Sequence, residues 1–367
     1  MKFIDLVTEN KIFRDRLHKK FDKLFNEGAY ILGPQVKELE DQLSLYTKSK
    51  YVLAVSSGTD ALMLSLMALN IQPNDEIIVP AFNYISAAEV IVLLGAKPVF
   101  IDIDNETFNL DPNKIVDKIT SKTKAIIPTS LFGQCADFKE INKIAKNHGL
   151  VVIEDASQSF GAEYYGNKSC NLTDIACTSF FPTKPLGCYG DGGAIFTKSK
   201  KIYEKLKMLR SHGQSKKYTH NLIGINGRLD TIQAIVLIEK LKIFEKEIKL
   251  RDKISKNYMI GIESEDQKKI RLPIIKEYNK SVFAQFSLVT DYRDELKSFL
   301  SSKNIPVAIH YPTPTYKQKA FSKFRDYDCK VAEEVSKKII SIPFHPFMNV
   351  KDQNLVIKHI NEFYISS

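Results

Sequence analysis

The feature that most limits the fold of this chain is an alternation of short apolar runs with longer amphipathic segments. The runs lie at 51–55, 76–80, 97–102, 125–129, 150–155, 175–181 and 194–197, and each has the length and apolar content of a strand. Helical segments follow from Gly58, from about Ser86, over about 111–120, over 137–147 and over 200–210. The run Leu150-Val151-Val152-Ile153 does not alternate with polar residues, as expected of a strand buried on both faces. Strands separated by helices predict an α/β fold, a largely parallel sheet covered by helices.

In such sheets ligands collect at the carboxyl ends of the strands, so the residues that follow each run are the first place to seek chemistry. Asp155 ends the 150–155 run. A carboxylate there suits ion pairing with a protonated pyridine nitrogen, and equally suits a helix cap. Ser56-Ser57-Gly58-Thr59-Asp60 follows the first run. Free N–H groups at a helix start, beside hydroxyl side chains, bind phosphate well, although Ser57 alone would serve as an ordinary N-cap. Tyr84 stands before the helix from Ser86, placed either to stack on a flat heterocycle or to pack in the core.

The 175–181 run leads into Ser179-Phe180-Phe181-Pro182-Thr183-Lys184-Pro185-Leu186-Gly187-Cys188-Tyr189-Gly190-Asp191-Gly192-Gly193. Lys184 lies between two prolines, and four glycines follow within seven residues. Proline fixes φ and glycine permits positive φ, so this backbone is shaped. A lysine beside such a loop is either a surface residue in a turn or a Schiff-base nucleophile.

This loop resembles the lysine loop of the DegT/StrS-type nucleotide-sugar aminotransferases, which use pyridoxal 5'-phosphate (PLP) on a fold-type-I scaffold. The resemblance covers nearly the whole chain. Its other carriers are Ile31-Leu32-Gly33-Pro34, Ser57-Gly58-Thr59, the stretch from Asp155 to Gln158, Gly224-Ile225-Asn226-Gly227-Arg228 and His310-Tyr311-Pro312. It implies that Lys184 holds PLP and that Asp155 pairs with its ring nitrogen. Gly58, Thr59 and Ser179 would bind the phosphate, Tyr84 would cover the ring, and Gln158 would meet the phenolic oxygen. Asn226 would reach the phosphate of a neighbouring subunit, which implies a homodimer. Arg228, His310 and Tyr311 would contact the nucleotide sugar. Lys184 follows Asp155 by 29 residues, a spacing typical of the fold type. The family often has Thr where Asn83 stands.

The wording of these segments is most similar to the branch that aminates C3 of UDP-2-acetamido-2-deoxy-3-oxo-glucuronate for bacterial surface polysaccharide (O-antigen or capsule), with L-glutamate as donor. That branch usually has Ser where Thr183 stands. The resemblance leaves open a C4 or C3 aminotransferase for another UDP- or dTDP-keto-deoxysugar, and a non-enzymatic sugar-binding regulator on the same scaffold. A dehydratase that uses the pyridoxamine form (PMP) carries His where Lys184 stands, which argues against that class. Neither G-x-G-x-x-G after an early strand nor G-x-x-x-x-G-K-[ST] occurs, which argues against nicotinamide and P-loop enzymes.

A chain of 367 residues is long for one core. The expected division is a large PLP-binding domain, 1–244, and a smaller α+β domain, 245–367, with a long helix over 230–257 at the boundary. The N-terminal segment reads as helical, with Phe21, Leu24 and Phe25 in a periodic pattern. Gly33-Pro34 interrupts it before a helix resumes over 35–46. The net charge of +10 comes from scattered lysines, without the basic stripe that nucleic-acid binding would need. The longest apolar stretch, 87–100, is broken by Glu89 and Lys97, so no membrane helix is expected. Five cysteines without a C-x-x-C suggest reduced thiols, no metal site and a cytoplasmic location.

Overall fold

A computed structural model describes residues 1–262, 269–324 and 326–366. Its main sheet has seven strands: β1 (Tyr51–Val55), β2 (Glu76–Pro80), β3 (Lys97–Ile101), β4 (Thr123–Ile126), β5 (Val151–Asp155), β6 (Ile175–Ser179) and β7 (Gly193–Thr197). They pair in the order β1-β7-β6-β5-β4-β2-β3. Strands β2 to β6 are parallel, and β7 alone runs antiparallel to both its neighbours. The helices that concern this sheet are α1 (Leu6–Glu27), α2 (Pro34–Thr47), α3 (Gly58–Ala68), α4 (Ser86–Leu93), α5 (Phe138–His148), α6 (Lys200–Leu209) and α7 (Thr231–Leu241).

Successive strand residues point to opposite faces, and the two cores follow that rule. Leu53, Val55, Ile77, Val79, Ile153 and Ile175 pack with Leu62 of α3, Val90 of α4 and Leu206 of α6. Val52, Ala54, Ile78 and Val152 pack on the other side with Phe13, Leu39, Ile141 and Leu237 of α1, α2, α5 and α7. Asp155, two residues after Ile153, therefore belongs to the α3/α4 face, whereas the buried Glu154 belongs to the α5 face. Neither helix layer alone could cover these strands. The unbroken apolar runs in the sequence are the signature of that double burial.

Beyond α7 the chain continues as α8 (Phe244–Gly261), which starts in one core and ends in another. Phe244 and Ile248 pack with the main sheet. Ile254 and Tyr258 pack with a second cluster that includes Leu300, Ile340 and Ile360. That cluster lies under a three-stranded antiparallel sheet of β8 (Ile270–Arg271), β9 (Phe286–Thr290) and β10 (Ile339–Ile342). Helices α9 (Arg293–Ser302), α10 (Lys330–Lys338) and α11 (Val350–Ser366) complete the C-terminal third. Tyr316, Phe321, Ala332 and Val335 return to the main-sheet core beside Phe100.

Several elements differ from the expectation. The helix expected over 230–257 is two helices, because the chain leaves helical geometry at Ile243 (φ −114°). The turn drives Phe244 under Gly161, where a Cβ would come within 2.7 Å of its ring. The segment 111–120 forms two 3₁₀ turns, Pro112–Lys114 and Val116–Lys118. Phe25, expected in an apolar stripe, faces solvent.

Candidate active site

The carboxyl ends of β1, β5 and β6 carry most of the singled-out residues. After β1 the backbone turns at Ser57, whose hydroxyl accepts from the Asp60 N–H at 3.0 Å and caps α3. The N–H groups of Gly58 and Thr59, in the first turn, have no intrahelical acceptor. Gly58 packs directly on Ser179: a Cβ there would lie 2.7 Å from the Ser179 Cβ. Gly193 packs as closely on the other side, since its Cβ would meet the Ser57 carbonyl at 2.5 Å. Two glycines thus allow a helix start and a serine hydroxyl to share one concave spot.

The loop after β6 is fixed at several points. The Lys184 N–H donates to Phe181 O at 2.9 Å, and the Cys188 N–H donates to Phe180 O at 2.7 Å. The buried Lys240 ammonium donates to Gly187 O at 2.7 Å. Gln233 accepts from the Tyr189 N–H at 2.9 Å. Lys184 itself is half-buried. Burial lowers the pKa of its amine, and the carboxylate of Asp155 opposes that shift. Asp155 is buried. Its Oδ1 accepts from the Ser157 N–H at 3.1 Å and its Oδ2 from the Thr129 hydroxyl at 3.2 Å.

Gln158 is buried and doubly engaged. Its Oε1 accepts from the Phe132 N–H at 2.8 Å, and its Nε2 donates to the Tyr311 hydroxyl at 3.1 Å. The Tyr311 ring lies 6.0 Å from that of Tyr84, which is 57% exposed at the mouth of the site. Burial raises the Tyr311 pKa, so its hydroxyl stays protonated. His310 is held through Nδ1 by the Ser341 hydroxyl at 2.9 Å, and Ser341 in turn contacts the Ser287 hydroxyl at 2.9 Å. Burial first, and the charge of Lys184 second, lower the His310 pKa.

The segment from Asn226 to Arg228 runs beside the end of β1, with the Ser56 N–H donating to Gly227 O at 3.0 Å and Arg228 bridging Val55. Arg228 Nε is buried with no hydrogen-bond partner. Asn226 is exposed. Lys184, Asp155, Gln158, Tyr84, Tyr311 and His310 therefore form one group, Gly58 and Ser179 form a cradle, and Asn226 is bonded to neither. Three participants were not anticipated from the sequence: Asn83 and Thr129 behind Asp155, and Ser341 behind His310. Thr129 ends the apolar run at 125–129, and Asn83 precedes Tyr84, which were the available signals. Among the described residues no cluster of His, Cys, Asp or Glu could hold a metal ion.

A lysine of lowered basicity faces a carboxylate, beside a cradle that a single Cβ would fill. These residues fit a phosphorylated pyridine aldehyde. Residues 12–361 match the DegT/DnrJ/EryC1/StrS aminotransferase family. The chain belongs to that family. It is a PLP-dependent sugar aminotransferase of fold type I. A Pseudomonas aeruginosa relative, UDP-2-acetamido-2-deoxy-3-oxo-D-glucuronate aminotransferase, is 45% identical over 97% of this chain and 98% of its own. A pleiotropic regulatory protein of Geobacillus stearothermophilus is 38% identical, with 98% of each chain covered. The crystal structure of a family member from Brucella abortus superimposes with a TM-score of 0.95 at 38% identity, covering 99% of both chains.

Proposed function

We propose that this aminotransferase moves an amino group from L-glutamate to a keto nucleotide-sugar, C3 of UDP-2-acetamido-2-deoxy-3-oxo-glucuronate, for bacterial surface polysaccharide. The observation that carries the reaction type is the neighbouring of two strand ends: Asp155 closes β5 beside Cys177 of β6, and β6 leads directly into the hydrogen-bonded loop that holds Lys184. The 45% identity to the Pseudomonas aeruginosa enzyme supports the substrate.

Lys184 is the residue that would hold the cofactor through Nζ, and its amine, once free, would carry a proton at the reacting carbon. Burial lowers its basicity and so favours the neutral form over the charged one. Asp155 would pair with the ring nitrogen. Gly58, Thr59 and Ser179 would take the phosphate, Gln158 the phenolic oxygen, and Tyr84 would cover the ring. When bound, PLP supplies an electron sink for the carbanion. Arg228, His310 and Tyr311 orient the nucleotide sugar, with the unpartnered Arg228 Nε available to an anionic group.

The working unit is a homodimer with sites at the subunit interface. Tyr30, Ile31 and Leu32 are exposed, and Ile31 bridges Asp230, next to the Asn226 segment. In this arrangement Asn226 serves the partner subunit's phosphate cradle. The large and small domains meet at residue 244, and the enzyme works in the cytoplasm. No helix among the described residues is long and apolar enough to cross a membrane.

An absorbance scan of the purified protein tests the reaction type. A near-visible band that bleaches with L-glutamate is expected. A colourless protein that takes up no PLP would leave a sugar-binding regulator. Mass analysis of the amine-loaded protein after incubation with UDP- and dTDP-keto sugars tests the substrate, and amination of a C4-keto sugar alone would replace the C3 reading. Sedimentation tests the dimer.

A further inference from the structure

Behind Asp155 lies a chain of hydrogen bonds that the roles above do not use. The Asn83 Nδ2 donates to the Thr129 hydroxyl at 2.6 Å, and the Thr129 hydroxyl reaches Asp155 Oδ2 at 3.2 Å. All three side chains are buried. Thr129 cannot move independently of the acid. The Asp155 N–H donates to Pro128 O at 2.9 Å, and the Ser130 N–H donates to Asp155 O at 3.0 Å. The Asn83 carbonyl accepts from the Thr315 hydroxyl at 3.1 Å, and the Thr315 N–H donates to Ala81 O at 2.8 Å. Thr315 lies four residues after Tyr311. Asn83 thus touches the acid's support with its side chain and the His310–Tyr311 segment's anchor with its backbone.

The direction of this chain follows from counting hydrogens. An ionised carboxylate only accepts, and a threonine hydroxyl has one hydrogen. If the Asn83 amide presented its oxygen, two acceptors would compete for that hydrogen. With the NH₂ group presented, Thr129 receives from Asn83 and gives to Asp155. Each Asp155 oxygen then accepts one protein donor, Ser157 N–H on Oδ1 and Thr129 on Oδ2. Two donors, one on each oxygen, fix the plane of the carboxylate.

We propose that Asn83 is a positioning residue for the cofactor. It orients the Thr129 hydroxyl so that the hydroxyl donates to Asp155, holding the plane of that carboxylate aimed at the ring nitrogen. The inference rests on the reading of Asp155 as the partner of that nitrogen. At this contact Asn83 presents its NH₂ group, which only donates.

The test uses the full-length protein, stripped of PLP and titrated with it, in four variants: Thr129→Val, Thr129→Ser, Asn83→Asp and Asn83→Ala. The readouts are the PLP dissociation constant, the ratio of the near-visible bands of the loaded protein, and the melting temperature without PLP. Thr129→Val removes the hydroxyl at constant shape and raises the dissociation constant about tenfold, as expected for a lost hydrogen bond to a charged group. Thr129→Ser restores it to within about threefold. Asn83→Asp, of nearly the same size, presents only acceptors, draws the Thr129 hydrogen away and shifts the bands as Thr129→Val does. Asn83→Ala shifts them less, since Thr129 can still donate. Wild-type affinity and bands in both Thr129→Val and Asn83→Asp would overturn the proposal. So would Thr129→Ser failing alongside Thr129→Val with equal losses in melting temperature, the mark of a packing role only. A wild-type protein that takes up no PLP would instead defeat the functional reading on which the inference stands.

Discussion

Gly58→Ala puts the phosphate cradle to a direct test, because two known effects of this substitution have opposite signs. Alanine in a helix is favoured over glycine by about 1 kcal/mol, so a Gly58 open to solvent would gain stability. Here the new Cβ would lie 2.7 Å from the Ser179 Cβ and 3.2 Å from its Cα, where ordinary contact begins at 3.4 Å. The two walls must therefore part by 0.7 Å to reach ordinary contact. Overpacking of this kind costs about 1–3 kcal/mol and outweighs the helix gain. The larger consequence falls on the ligand. An N–H···O bond near 2.9 Å that lengthens by such an amount leaves hydrogen-bonding range. One charge-assisted bond is worth about 1.5–3 kcal/mol, so the PLP dissociation constant should rise about 10- to 150-fold. Spectral titration of the stripped protein with PLP measures that constant, and melting without PLP reports the packing cost separately. A variant that melts lower yet binds PLP within about threefold of wild type would refute the cradle. One that melts higher would refute the clash itself.

Other substitutions probe separate parts of the molecule. Lys184→Ala should abolish the near-visible band of the loaded protein and lower amine transfer by at least about a thousandfold; a residual rate above a tenth of wild type would count against its role. Glu40→Ala strands the buried Arg210, whose Nη1 pairs with Glu40 at 3.0 Å, and should cost about 3–5 kcal/mol in urea unfolding; a loss near zero would show that Arg210 finds water or another acceptor. Burial, reinforced by Glu9 and opposed by Arg251 and Lys240, holds the Glu247 carboxyl up at about 7, above its ordinary 4.5. The folded state then binds that proton more tightly, so stability falls as pH rises from about 4.5 to about 7 and levels off above. Glu247→Gln should remove about 3 kcal/mol of that decline; parallel urea-midpoint profiles for the two proteins across this range would contradict it.

Much of this arrangement could be read from the chain because its physical causes are local. Gly33-Pro34 starts α2, Gly58 starts α3, and Asp155 closes β5, each through backbone or capping preferences of adjacent residues. The double-sided burial of the sheet was legible in the apolar run at 150–153. What escaped was decided by distant partners. The reversal of β7 depends on its pairing with β1 and β6, which the residues of 193–197 do not encode by themselves. The break at Ile243 carries neither Gly nor Pro, and exists because Phe244 has a place under Gly161. Asn83 and Thr129 lie 46 residues apart, so their contact has no periodic trace. The Ser341 hydroxyl that orients His310 comes from the last strand.

That last dependence bears on when the protein becomes competent during its synthesis. Tyr311 meets Gln158 across 153 residues, and Thr315 meets Asn83 across 232. Contacts of such separation form late. While a ribosome is still adding the C-terminal third, the emerging polypeptide already owns its lysine and its acid but lacks the wall that encloses them. In such an intermediate Lys184 is more solvated, so the depressed basicity that burial imposes on its amine arrives only when the C-terminal third has closed over it.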